Sequence, residues 1–95
     1  MTKQARQSAE TLALNALGWL AGQDDLLMVF LGSTGATQSD LAERAGDPVF
    51  LGSVLDFLMM DDAWVVAFCD AQSLPYESVM MARVALPGGE QVNWT

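Results

Sequence analysis

Histidine is absent from this 95-residue chain, cysteine occurs once, and Lys and Arg together number 4. Without imidazole there is no base for a histidine-containing triad and no Cys/His zinc site. The lone Cys69 leaves no intrachain disulfide. Against the 4 cations stand 12 Asp and Glu, a formal net charge of -8. Nucleic-acid affinity comes largely from cations that neutralise phosphates, so a phosphate backbone repels such a chain. Long apolar runs are missing as well. Residues 26–31 and 63–69 fall far short of the roughly 20 apolar residues a bilayer requires, and aspartates precede both. Lys3 and Arg6 are followed by Gln7, Ser8 and Glu10, where a secretory signal carries its apolar stretch. These absences predict a cytoplasmic protein with no membrane or nucleic-acid partner and no metal or cofactor, and an unpaired cysteine agrees with a reducing compartment.

What is present is apolar. Hydrophobic residues make up 52% of the chain, a high share for a domain whose small size limits how much surface it can bury. Some of that surplus is expected to stay exposed or to be covered by a partner. The length fits one core: residues 1–8 read as a flexible N-terminus, 9–87 as a single helical domain and 88–95 as a tail packing on the domain or on a partner.

Within the domain, Leu12, Ala13, Ala16, Leu17, Trp19 and Leu20 fall on one side of a 3.6-residue period, which predicts a first helix over residues 8–21 that Gly22 stops. Asp24 is placed to cap a second helix with Leu27, Phe30 and Leu31 as its stripe, broken by Gly32 and Gly35. Thr37 and Asp40 form a capping-box-like start for a short third helix through Leu41, Ala42 and Ala45, ended by Gly46. Asp47-Pro48 opens a central helix with the widest apolar face, Phe50, Leu51, Val54, Leu55 and Leu58. Asp61 or Asp62 caps a fifth helix carrying Trp64, Val65 and Phe68. Pro75 with Glu77 opens a sixth carrying Val79, Ala82, Arg83 and Leu86, closed by Pro87-Gly88-Gly89. No segment alternates with period two between hairpin-type turns, so no sheet is expected. The class is all-α, a compact orthogonal or antiparallel bundle of about five to six short helices.

A gap-free shift of 38 positions lays the chain on itself: Leu17 falls on Leu55, Leu20 on Leu58, Asp24 on Asp62, Phe30 on Phe68 and Leu41 on Val79. Either the chain holds two similar three-helix units, or any two helix pairs joined by an aspartate-capped turn look alike. Both readings pair the first helix with the second and the fourth with the fifth, each pair closed by a short helix.

Few motifs carry chemistry. Residues 38–46, with Leu41-Ala42 and Gly46, are similar to the first helix and turn of a helix-turn-helix DNA reader. The stretch that would read bases, residues 47–56, contains no Arg, Lys, Asn or Gln, so the pattern is ordinary helical packing. Asp24-Asp25 and Asp61-Asp62 are clustered carboxylates of the kind that bind divalent cations or share a proton, but neither has calcium-loop spacing. Both lie at helix starts, where a carboxylate accepts free N–H groups and meets the positive end of the dipole. Capping is the leading reading; the alternative is a small-ligand or metal-binding protein, or an enzyme, using carboxylates in an interhelical pocket. Cys69, beside Phe68 and Asp70, reads as a core thiol rather than a nucleophile. Gly88-Gly89 lacks the Lys-Ser/Thr of a phosphate loop.

The methionines are more informative. In Met59-Met60 and Met80-Met81 the two members point about 100° apart on a helix, so one of each pair belongs near the surface. Leu14, Val29 and Val66 also fall opposite the main stripes of their helices. Methionine adapts to irregular partners, which makes such a patch a candidate interface, with scattered surface apolars as the plain alternative. Trp94, beyond the Pro87-Gly88-Gly89 stop, is a large tail aromatic with reason to dock, on its own domain or on the methionine patch of a second copy. The candidate interface is therefore Met59, Met60, Met80, Met81 and Trp94; no catalytic, metal or cofactor residue is expected.

Residues 12–21, with Phe30-Leu31, Thr34-Gly35, Asp40-Leu41, residues 47–51 and 54–58, Asp61-Asp62, Phe68-Cys69, Ala82-Arg83 and Leu86-Pro87-Gly88-Gly89, together resemble domain-of-unknown-function family 3572, a group of short alphaproteobacterial proteins. The resemblance runs from about Glu10 to Thr95 and implies a bacterial, cytoplasmic helical domain. It carries over no activity, cofactor or functional residue. The residues themselves point to a non-enzymatic, acidic helical interaction module that self-associates as a homodimer or docks an unidentified protein partner, a basic one by electrostatics. One consequence is directly measurable: micromolar protein should produce no mobility shift of random duplex DNA even at low salt, where cation contacts are strongest. Salt-sensitive binding would restore the DNA-reader reading.

Overall fold

The computed structural model describes residues 3–86, apart from the side chains of residues 3–5 and 24. Six helices follow one another: α1 (Lys3–Ala21), α2 (Asp24–Thr34), α3 (Gln38–Arg44), α4 (Pro48–Leu58), α5 (Asp62–Gln72) and α6 (Ser78–Ala85). No strand occurs among the described residues, and the fold is all-α.

The centre is α4. Asp47 Oδ1 accepts the Val49 N–H at 3.0 Å, and Pro48, which has no N–H to satisfy, takes the first helical position. Phe50, Leu51, Gly52, Val54, Leu55, Phe57 and Leu58 are all buried, so α4 is covered on nearly every side. One wall is α1, where Ala13, Ala16, Leu17 and Leu20 are buried and the two alanines allow close approach. Phe30 of α2 meets Phe50 and Phe57 edge-on, with ring centroids 5.9 and 5.2 Å away. On the other side Trp64 of α5 stacks on Phe57 at 4.8 Å, and Phe68 meets Trp19 edge-on at 5.8 Å. Such aromatic pairs contribute roughly 0.5–1.5 kcal/mol each beyond the area they bury. Leu41 is the one residue α3 buries, and that helix stays peripheral.

The pairing differs from the sequence expectation. α1 packs most extensively on α6, then on α4, and less on its chain neighbour α2. An α4 that is apolar all round draws cover from both halves of the chain rather than from α5 alone. Three helix starts also move. α1 begins at Lys3, more than a turn before residue 8, so helix includes part of the stretch read as a flexible N-terminus. The N-cap of α2 is Gln23, without a side-chain cap, and Asp24 is the first helical residue rather than the cap. α6 begins at Ser78, after a turn closed by the Ser78 N–H to Pro75 carbonyl bond at 3.0 Å. Thr37 and Asp40 do form the full capping box, and Asp61 caps α5 through the Ala63 N–H at 2.9 Å.

The shift of 38 carries backbone geometry as well as residue type. It takes the bounds of α2 onto those of α5. Between α1 and α2, the Gly22 and Gln23 N–H groups donate to Trp19 and Leu20 at 3.1 and 2.9 Å; between α4 and α5, Met60 and Asp61 donate to Phe57 and Leu58 at 3.1 and 3.2 Å. The left-handed C-cap Gly35, φ 75°, falls on Ser73, φ 57°, and their N–H groups reach the Leu31 and Cys69 carbonyls, again 38 apart. The halves separate where Thr37 falls on Pro75: without a hydroxyl to cap, the second unit makes a turn and starts its short helix later. Two three-helix units thus share one hydrogen-bonded skeleton but not one environment, since α6 lies against α1 while α3 remains at the edge.

Leu55 is fully buried at the middle of α4. Leu55→Ala should cost about 2–5 kcal/mol of unfolding free energy, from a total of about 5–14 kcal/mol for a domain of this length. Urea denaturation followed by circular dichroism checks it, and a loss below about 1 kcal/mol would contradict the central place of α4.

Candidate functional site

α6 places two unlike faces at one position in the fold. Val79, Ala82 and the C-cap Leu86 turn inward, spaced by three and four residues so that they share a side of the helix. Arg83 fixes the rotation: its Nε donates to Asp56 Oδ1 at 2.6 Å and its Nη2 to Oδ2 at 3.0 Å, a two-pronged clasp between α6 and α4. With the helix held this way, Met80, Met81 and Val84 stand outward, 57%, 65% and 49% exposed.

A groove lies on each flank of this ridge. Between α1 and α6, an apolar groove of about 570 Å³ is lined by Ala9, Leu12, Met80, Met81, Val84 and neighbouring small residues. Between α5 and α6, a groove of about 640 Å³ is lined by Met59, Val66, Met80 and Tyr76, with Asp62 and Glu77 among its walls. Met80 belongs to both. The Tyr76 hydroxyl donates to Asp70 Oδ1 at 2.8 Å, which raises the phenol's pKa by stabilising its protonated form and setting it beside a carboxylate.

Of the five candidate interface residues, the structure brings together three. Met80 and Met81 stand on the ridge, and Met59, half-buried as the C-cap of α4, lines the α5–α6 groove. Met60 is exposed in the turn before α5 and lines neither of these two grooves. Trp94 lies outside the described residues. Both members of Met80-Met81 face outward, since Val79 and Ala82 already fill the narrow inner stripe. Leu14, Val29 and Val66 are exposed as their helical positions predict. Val84 and Leu12 were missed, though Val84 was recoverable: four residues after Met80, it shares that side of α6.

The carboxylates are spread among structural tasks. Asp61 caps α5. Asp40 accepts the Thr37 N–H at 2.9 Å, and this bond, with that to the threonine side chain, holds its carboxyl below the usual pKa. Among the described residues no group of three or more His, Cys, Asp or Glu is arranged to hold a metal ion, and no helix is long and apolar enough to cross a membrane. Cys69 is fully buried; burial first, then the charges of Asp70 and Glu77, push its thiol up.

The fold and this surface define a small all-α protein with an apolar ridge set between two interhelical grooves. The sequence profile of proteins of unknown function DUF3572 matches residues 6–89, and the chain belongs to that family. No curated protein and no solved structure matches it.

The raised Cys69 pKa has a definite sign. The thiol is neutral in folded and unfolded chains below about pH 8.5, so it has no effect there. As pH rises from that point through the folded pKa, the unfolded chain ionises first and stability falls. Cys69→Ala should therefore flatten the alkaline side of a urea-midpoint against pH curve relative to wild type. Ellman's reagent at pH 8 should label the wild-type thiol only as fast as the protein opens, and immediate labelling would show that the sulfur is accessible.

Proposed function

We propose that this protein is a non-enzymatic docking module that binds another polypeptide through the outer side of α6 and its flanking grooves. A bacterial, cytoplasmic setting belongs to the same reading, and a single unpaired cysteine is in keeping with a reducing compartment. The observation that carries the proposal is the orientation of α6, whose clasp to Asp56 leaves Met80, Met81 and Val84 turned away from the core. Apolar side chains held outward beside apolar grooves are typical of interaction surfaces.

Magnitudes say what such a partner must do. Full burial of a Met or Val side chain is worth roughly 1.5–3 kcal/mol, and these three are already partly covered. Covering the ridge alone then yields roughly 3 kcal/mol, below what association costs in lost freedom. A binding partner has to fill a groove too. A second reading, a small ligand held between α5 and α6 with Asp62 or Glu77 as its anchor, is favoured by the groove volume of about 640 Å³ and would appear as a rise in melting temperature with a ligand or divalent-metal panel.

Peptide display separates these readings. Selection on wild-type protein, with counter-selection on Met80→Asp/Val84→Asp, should enrich peptides with a shared apolar pattern that the double variant does not hold. Both substitutions are at exposed positions, so circular dichroism should be unchanged. The proposal fails if nothing is enriched or if the variant binds the selected peptides equally well.

A further inference from the structure

We infer that the partner element is a cationic amphipathic helix, seated in the α5–α6 groove with its apolar side on Met59, Val66 and Met80 and its Lys or Arg side chains at Asp62 and Glu77. This inference rests on the docking reading above and narrows it to one chemistry.

The two carboxylates in that groove differ from most others in the molecule. Asp56 is clasped by Arg83, Glu10 pairs with Arg6, Asp70 accepts from Tyr76, Asp40 completes the capping box, and Asp47 and Asp61 cap helices. Asp62 and Glu77 are exposed, and their carboxylates make no hydrogen bond or ion pair with a described residue. They stand beside an apolar floor that includes the fully buried Val79. A surface that combines apolar floor with unpaired carboxylates is complementary to a segment with apolar and cationic sides, and to neither a purely apolar nor an acidic one.

No described side chain supplies that cation. No Lys or Arg lines either groove. Arg6 and Arg83 are held by carboxylates, and Arg44 lies over the Phe50 ring at 5.9 Å. A second copy brings another formal charge of -8, which opposes approach, whereas the same field attracts a cationic partner from a distance. The shape favours a helix. The groove runs between two helices, and Asp62 and Val66 on its α5 wall repeat at four, the spacing that receives the side-chain rows of another helix. Among the described residues there is no strand edge to which an extended peptide could add.

The test uses the full chain and four-turn synthetic peptides with one leucine pattern and either Lys, Gln or Glu at the polar positions, read by fluorescence anisotropy at low and high salt. The Lys peptide should bind about tenfold or more tighter than the Gln peptide, the difference shrinking with salt, and the Glu peptide should not bind. Asp62→Asn/Glu77→Gln should lose most of that advantage, while Asp25→Asn/Glu43→Gln, which removes the same net charge elsewhere on the surface, should retain it. Equal loss in the two double variants, or equal binding of the Lys and Gln peptides, overturns the cationic inference but leaves the docking reading intact. Lys-peptide binding that is indifferent to Met80→Asp/Val84→Asp overturns both.

Discussion

The structure depends on the cover demanded by α4. An eleven-residue helix with buried side chains on almost all its faces cannot rest on a surface; it has to be enclosed. Enclosure by five short helices uses the alanine-rich side of α1, the Phe30 ring, the aromatic side of α5 and the inner stripe of α6. In a domain this small the same helices also form the outside, so each is thin, apolar inward and mixed outward. The outward position of the α6 methionines follows from this geometry: the inner stripe of an eight-residue helix has room for Val79 and Ala82 and little else.

Much of this was legible because the signals were local. Asp47-Pro48, Thr37 with Asp40, and Asp61 specify helix starts through hydrogen bonds within three residues, and the periodic leucines of α4 mark its burial without reference to the rest of the fold. What stayed hidden required knowledge of partners. Asp24 has the right side chain for a cap but occupies the first helical turn, because the backbone bonds from Gly22 and Gln23 end the preceding turn one residue earlier. The early start of α1 has no strong local signal: Arg6 and Gln7 in the added stretch are exposed, with Arg6 paired to Glu10 one turn on. Of the interface, Met80 and Met81 were readable as a pair that cannot both face inward. The grooves, which need α1 and α5 alongside α6, were not.

The two halves show which constraints repeat and which diverge. Turn bonds, the bounds of α2 and α5, and the left-handed caps recur at one spacing, while the third helix of each unit differs in neighbours. α6 is wedged against α1 and clasped to α4 by Arg83, and α3 contributes Leu41 at the margin. A repeated skeleton therefore does not yield a repeated surface. The ridge draws the walls of its two grooves from α1, from α5 and from the end of α4, three places that the second short helix reaches.

Ser73 has a consequence for how this molecule can be altered. It holds a left-handed backbone at φ 57°, a conformation that glycine adopts freely and that most other residues adopt at a cost of roughly 1–2 kcal/mol, while its counterpart in the first unit is Gly35. The second unit thus ends its helix under a steric load that the first does not carry, offset by packing elsewhere. That load is a latent reserve. Asparagine or glycine at this position relieves it on an exposed turn, away from both grooves, so stability can be raised there independently of whatever the ridge binds.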